Sequence, residues 1–325
     1  MKRRDFINKA GQSGLALALL GAASCKDTSK SEVKTIESNK AEDTSLFFKI
    51  SLAQWSLHRA LFAGDMDNLD FAAKSRSLGC EGLEYVNGFF KDKAKNMAYL
   101  KEMNTRANAE GQQNVLIMID REGNLAVPDD KKRLQAIENH YKWVEAAHFL
   151  GCHAIRVNLA GANNFDDGVE VAVDSLQKLS EFAKGSNINV LVENHGGLSS
   201  NGNWMYQVFS KVKNDNCGTL PDFGNFCINK GEKDANGVRP CFEDYDRYKG
   251  MQQLLPFAKA VSAKSYDFDE NGNETTIDYH RVMTMVKNVG YNGYVGVEYE
   301  GLKFPENKGI ELTRNLLIKV GKQLS

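Results

Sequence analysis

The sequence is short of proline, of histidine and of any excess of one charge. Five Pro in 325 residues, beside 28 Gly without a triplet period, exclude a collagen-like or Pro-rich low-complexity chain. Lys and Arg number 41 against 42 Asp and Glu, a net charge of −1, so there is no global basic field to hold nucleic acid. Multi-span membrane character is absent too. The apolar stretch near the start, Gly14 to Ala23, is well short of the about 20 residues a spanning helix needs. No Cys-X-X-Cys occurs among the 6 cysteines. No Gly-X-Gly-X-X-Gly follows the first strand-like run, which argues against a dinucleotide-binding sheet. What remains, 42% hydrophobic and 26% charged, is the composition of a globular protein.

The first 46 residues read differently from the rest. Met1-Lys2-Arg3-Arg4-Asp5-Phe6-Ile7 is a basic start, and GLALALLGAA over Gly14 to Ala23 has the length of a signal-peptide core. Arg3-Arg4-Asp5-Phe6-Ile7 resembles the twin-arginine export signal, with Lys2 where Ser or Thr is usual. Ala22-Ala23-Ser24-Cys25 resembles a lipoprotein cleavage box, with Ala22 in place of Leu. The expectation is a signal peptide over 1–24, lipidation of Cys25, a polar tether over 25–46 and one folded body over 47–325. The product would be an exported, periplasmic or membrane-anchored lipoprotein, touching the membrane only through its lipid. Residues 1–46 hold 8 Lys and Arg and 6 Asp and Glu, which leaves 33 and 36 in the body, net −3. Five cysteines remain there, Cys80, Cys152, Cys217, Cys227 and Cys241. The odd number predicts no disulfide framework, and the LGC turns at Cys80 and Cys152 read as small buried thiols.

From residue 48 the chain alternates β-rich runs with amphipathic windows. Strands are expected at 49–54, 82–86, 115–119, 154–158, 189–193, 217–221, 260–264 and 294–298. Helices are expected near 68–78, 92–110, 130–150, 167–184, 202–213, 244–257, 278–289 and 308–323. Strict alternation implies parallel strands with crossover helices. Eight units in about 280 residues point to a closed (β/α)8 TIM barrel, usually about 250 residues long. In the fourth-unit helix Leu134, Ile137, Tyr141, Val144, Ala147 and Phe149 fall near helical spacing, and Gly151 is placed to end it. Asp166-Asp167 suit the start of the next helix. The segment 225–244 is read as a long polar loop on the active-site rim.

In such a barrel the C-terminal strand ends share one mouth, and chemistry collects there. Glu193, Asp222 and Glu298 end three strands, each after an apolar run. Converging half-buried carboxylates repel one another and are costly to desolvate, which a divalent cation would relieve. An all-oxygen site suits Mg²⁺ or Mn²⁺, and one added His admits Zn²⁺ or Co²⁺. The bland alternative pairs each carboxylate with a barrel cation, for which Arg156 and Lys264 are at hand. Trp55, His58, Glu84, Arg156, His195, Asn225 and Lys264 fall at or near strand ends as candidate substrate-binding groups. Phe223 and Trp55 offer sugar-stacking faces or ordinary packing.

These residues resemble the sugar isomerase/epimerase family with the xylose isomerase-like barrel, a group that includes ketose 3-epimerases, inosose dehydratases and abasic-site endonucleases. The resemblance covers about residues 48–324 and rests on VLVENHGG around Glu193, DFGN from Asp222 to Asn225, and GYVGVEYEG around Glu298. It implies that Glu193, Asp222 and Glu298 hold one metal (Mn, Mg, Co or Zn), and that Glu193 and Glu298 are the acid/base pair. Asn225 takes a position near metal and substrate. The seventh strand departs from the pattern, because VSAKSYD carries Lys264 where His is common. Three arrangements follow: a metal on three carboxylates and water, a metal with His195 added, or Lys264 in its stead.

The leading reading is a sugar isomerase or epimerase that abstracts a proton next to a carbonyl of a sugar, keto-sugar or cyclitol. A keto-sugar lyase or dehydratase shares that first step. A non-catalytic saccharide-binding lipoprotein is the alternative that Lys264 motivates. A body charge of −3 speaks against the endonuclease reading and against any nucleic-acid partner.

Overall fold

The computed structural model describes residues 45–162, 164–234 and 239–325. The expected signal peptide, Cys25 and nearly all of the tether lie outside the described residues. Leu46 and Phe47, by contrast, already pack against the core. Among the described residues no helix is long and apolar enough to cross a membrane.

The described residues form ten strands and nine α-helices, and the eight strands of the main sheet are each separated from the next by at least one helix. The strands are β1 (Lys49–Ala53), β2 (Gly82–Val86), β3 (Gln113–Met118), β4 (Ala154–Val157), β5 (Asn189–Glu193), β6 (Cys217–Leu220), β7 (Cys227–Lys230), β8 (Cys241–Asp244), β9 (Val261–Ser265) and β10 (Tyr294–Tyr299). The helices are α1 (His58–Ala63), α2 (Phe71–Ser77), α3 (Met97–Ala109), α4 (Asp130–Leu150), α5 (Phe165–Lys184), α6 (Gly202–Lys211), α7 (Arg247–Leu254), α8 (Tyr279–Asn288) and α9 (Glu306–Leu324). Eight strands form one parallel sheet in the order β6-β5-β4-β3-β2-β1-β10-β9. The sheet curls until its outer strands meet. Parallel bridges pair Thr219 with Ala258 and Asp222 with Ser262, and Ser262 N donates to Pro221 O at 2.9 Å. This is the (β/α)8 architecture the alternation predicts.

Two apolar layers hold it. One lies between sheet and helices and includes Phe71, Trp143, Leu176, Trp204 and Leu317. The other fills the barrel with Val115, Leu116, Met118, Leu191 and Leu220. Strand residues two apart share a face, so each barrel strand feeds the interior with alternate side chains and carries the last of them to the mouth.

Local chemistry sets the helix ends. Asp129 caps α4 by accepting from Lys132 N at 3.0 Å, and Gly151 ends it at φ 74°, a conformation free of Cβ strain only in glycine. The buried face of α4 includes Ile137, Val144 and Ala147 as read from the sequence, with Tyr141 packed at its edge, but is centred differently. Arg133, Ala136, Ile137, His140, Trp143 and Val144 face inward, while Leu134 and Phe149 are exposed. At about 100° per residue Leu134 and Phe149 fall at the borders of that face, where an apolar side chain can point to solvent. At α5 the cap is Asn164, which accepts from Asp167 N at 2.9 Å, and Asp166 and Asp167 lie in the first turn.

The 225–244 segment corrects two expectations. It is not irregular throughout: β7 and β8 pair antiparallel as a hairpin. That pairing brings Cys227 and Cys241 together in a disulfide, with Cα atoms 5.8 Å apart. The expectation of no disulfide overlooked the hairpin, whose exposed strands have little apolar alternation to reveal them. Cys80, Cys152 and Cys217 are buried free thiols.

Candidate active site

Three strand ends bring Glu193, Asp222 and Glu298 together. One ligand oxygen from each lies within 4.8 Å of the others, and all three residues are buried. Among the described residues no other group of three or more His, Cys, Asp or Glu converges in this way.

Each carboxylate has its own support. Arg156 Nε lies 2.8 Å from Glu193 Oε2, but its N–H direction misses the oxygen, so that oxygen keeps no hydrogen-bond partner. Asn225 Nδ2 donates to Glu193 Oε1 at 3.0 Å. Asp222 Oδ1 accepts from Gly224 N and Asn225 N, both at 2.8 Å, in the tight DFGN turn. Ser262 Oγ lies 2.7 Å from Asp222 Oδ2 and 3.0 Å from Glu298 Oε2 and so spans the two. Asn194 locks the turn from behind, with Asp222 N donating to its Oδ1 at 2.7 Å.

Lys264 reaches into this cluster. Its Nζ donates to Glu298 Oε1 at 2.7 Å and stands 3.4 Å from Glu300 Oε2 and 3.8 Å from Asp222 Oδ2. The side chain is 1% exposed. Its stem runs past Gly224, where a Cβ would come within 2.6 Å of Lys264 Cγ. Burial opposes the lysine charge, yet Asp222, Glu298 and Glu300 outweigh it and hold its pKa well above the ordinary lysine value. Burial pushes Glu193 and Asp222 up to about 7 each, against the pull of Arg156 on the first and Lys264 on the second. Asp120 behaves oppositely. Burial raises it, but Arg156 at 2.8 Å prevails and holds it at about 2.

The structure sorts the remaining candidates. Trp55 and His58 stack at the mouth with ring centroids 4.8 Å apart, and the Trp55 side chain donates to Glu300. His195 is exposed, with Nδ1 donating to Asn158 Oδ1 at 2.9 Å, and it does not join the carboxylate cluster. Arg156 is committed to Glu193 and Asp120. Glu84 is not in the mouth. It accepts from Ser51 Oγ at 2.5 Å, and a Cβ on Gly296 would meet its Oε2 at 2.5 Å. Gly296 stands two residues before Glu298 on one face of β10, so Glu84 lies one layer beneath the carboxylates. Phe223 is fully buried against Tyr279 and serves the core. Sequence reasoning assigned no site role to Ser262, Asp120, Asn158 and Glu300, although the last three stand at strand ends. Ser262 and Glu300 each stand two residues from a chosen residue on the same strand line, and that alternation was the available signal.

Residues 72–320 match the xylose isomerase-like TIM barrel family. The chain belongs to that family. Among solved members of the fold, a D-tagatose 3-epimerase-like protein superposes with TM-score 0.64 at 16% identity, over 86% of this chain and 100% of that one. A xylose isomerase-like TIM barrel protein from Mycobacterium smegmatis, in complex with magnesium, gives 0.62 at 14% identity, over 85% and 97%. At such identities the likeness is one of fold. The C-glycoside deglycosidase alpha subunit of Arthrobacter globiformis is 42% identical over 53 residues, 16% of this chain and only 15% of that protein's length.

The donor set of this family member fits a divalent cation. Asp120, Glu193, Asp222, Glu298 and Glu300 face only Arg156 and Lys264 as permanent cations in these contacts, three more carboxyl groups than cations to pair them. Glu193 Oε2 is a buried oxygen without a hydrogen bond. Oxygen ligands and residual negative charge are what hard dications require.

Proposed function

We propose that this protein is a sugar isomerase or epimerase that moves a proton at a carbon next to a carbonyl. Glu193 and Glu298 exchange the proton, and Glu193, Asp222 and Glu298 hold a divalent cation. The observation that carries this reading is the convergence of three buried strand-end carboxylates within 4.8 Å. When bound, such an ion polarises carbonyl and hydroxyl oxygens and stabilises enediolate charge.

The rest is done by the chain. Arg156 and Asn225 hold the Glu193 carboxylate between them, Arg156 by charge at Oε2 and Asn225 by a hydrogen bond at Oε1. In the ion-free site burial lifts the Glu193 carboxyl to about 7. Ser262 and Lys264 hold Glu298 facing the same space, so it can return a proton. Trp55 and His58 offer a stacked flat surface for the C–H face of a sugar. The substrate class is a neutral sugar, keto-sugar or cyclitol. The same reading keeps the exported address, supported by Arg3-Arg4, the apolar core and Cys25, and by the Cys227–Cys241 disulfide, a bond favoured outside a reducing cytosol.

The test is proton exchange. Ketoses, aldoses, keto-sugars and inososes are incubated with the protein and Mn²⁺ in D₂O and read by NMR for deuterium next to the carbonyl. Glu193→Gln and Glu298→Gln are each expected to lower exchange by about 100-fold or more with circular dichroism unchanged. Absence of exchange across the panel, or full exchange in both variants, would remove the assignment.

A further inference from the structure

We propose that Lys264 sets the metal affinity of this site: its ammonium bonds Glu298 when no ion is bound and shifts its pairing to Glu300 when one is. This rests on the divalent-ion site proposed above and goes beyond it by assigning a role to the cation already inside the cluster.

The charges divide unevenly. Arg156 serves Glu193 and Asp120. Asp222 and Glu298 therefore depend on Lys264, at 3.8 and 2.7 Å, and on the neutral Ser262 hydroxyl between them. Without an ion, the ammonium keeps two buried carboxylates from repelling each other, so the site stays assembled. With an ion, the same ammonium becomes a like charge beside a dication and lowers the affinity.

The geometry supplies a way out. Glu300 Oε2 is already 3.4 Å from Nζ, and its side chain is 29% exposed where that of Glu298 is 5%. The Trp55 side chain anchors Glu300 by hydrogen bonding to it. A lysine stem has rotatable bonds enough to change partners without moving the backbone. Along Gly224 there is no Cβ to hinder it. Asp222 and Glu298 are then released to the ion, and the ammonium keeps a carboxylate partner.

Two consequences separate this from a purely structural lysine. Removing the ammonium should strengthen ion binding. Removing Glu300 should weaken it most where Lys264 is present to be stranded. Chelator-stripped protein is titrated with Mn²⁺, with free Mn²⁺ followed by its electron paramagnetic resonance signal. Lys264→Met and Lys264→Gln are expected to bind Mn²⁺ at least tenfold tighter than the parent. Glu300→Gln is expected to weaken binding at least tenfold in the parent and less than threefold in Lys264→Met. If Lys264→Met does not fold, Lys264→Gln serves as the background for both comparisons. Equal affinity with and without Lys264, or an equal Glu300 effect in both backgrounds, overturns the proposal and leaves the metal site standing. If no folded variant binds Mn²⁺, the metal site fails and the role of Lys264 fails with it.

Discussion

Glu84 shows how a single residue can be located correctly on its strand and still be misassigned. It sits on β2 facing the barrel interior, as alternation requires, but one layer below the mouth, where Gly296 leaves the room its carboxyl fills. Burial, with Glu298 and Glu193 adding to it, lifts its pKa from 4.5 to about 8 against the Ser51 hydrogen bond. Between these values the unfolded chain has lost a proton that the folded chain keeps. Stability therefore falls as pH rises from 4.5 through 8. Glu84→Gln removes that dependence. With chelator present it should raise Tm at pH 8 by about 2 °C or more, on the order of 1 kcal/mol for a chain of this size, with the gain gone near pH 4.5. Thermal melts across that range check it, and a pH-independent difference would show that Glu84 is ionised. The convergence of Glu193, Asp222 and Glu298 was legible because each closes an apolar run. The pairings among them were not. Arg156 meets Asp120 36 positions away, and no spacing in the sequence tells which of several carboxylates a buried cation will choose.

At the scale of elements, the eight barrel strands were readable because buried parallel strands are short, apolar and bounded by turns. The hairpin of β7 and β8 was not, since its residues are mostly exposed and its polar sequence looks like loop. It is joined to the body where Tyr245 N donates to Phe226 O, and Gly250 gives Phe226 its space. The Cys227–Cys241 bond closes the hairpin on itself and so restrains its opening more than the unfolding of the barrel. Limited proteolysis should cut within 225–244 several-fold faster after reduction, or in Cys227→Ser/Cys241→Ser, while Tm of the whole protein changes little. Cleavage at one rate in both redox states would show that strand pairing alone holds the hairpin.

For the whole molecule, strict alternation of strand and helix sufficed for the barrel, because parallel neighbours need a crossover and eight of them close a ring. The export address proposed for the first 25 residues is separate from that argument and is tested separately. If the proposal holds, the parent is exported and lipidated at Cys25, and changing Arg3 and Arg4 together to Lys should leave the protein unlipidated in the cytoplasmic fraction. Fractionation and mass spectrometry of the N-terminus measure this, and equal export of both forms would set aside the twin-arginine reading.

The barrel closes along a line where β6 and β9 share only isolated bridges, and one of those bridges joins Asp222 to Ser262. The carboxylate cluster is thus built across a lap joint, with Asp222 on one lip and Ser262 and Lys264 on the other. An ion held between these lips, as proposed, would tie the two edges of the ring together at the place where the fewest backbone hydrogen bonds join them.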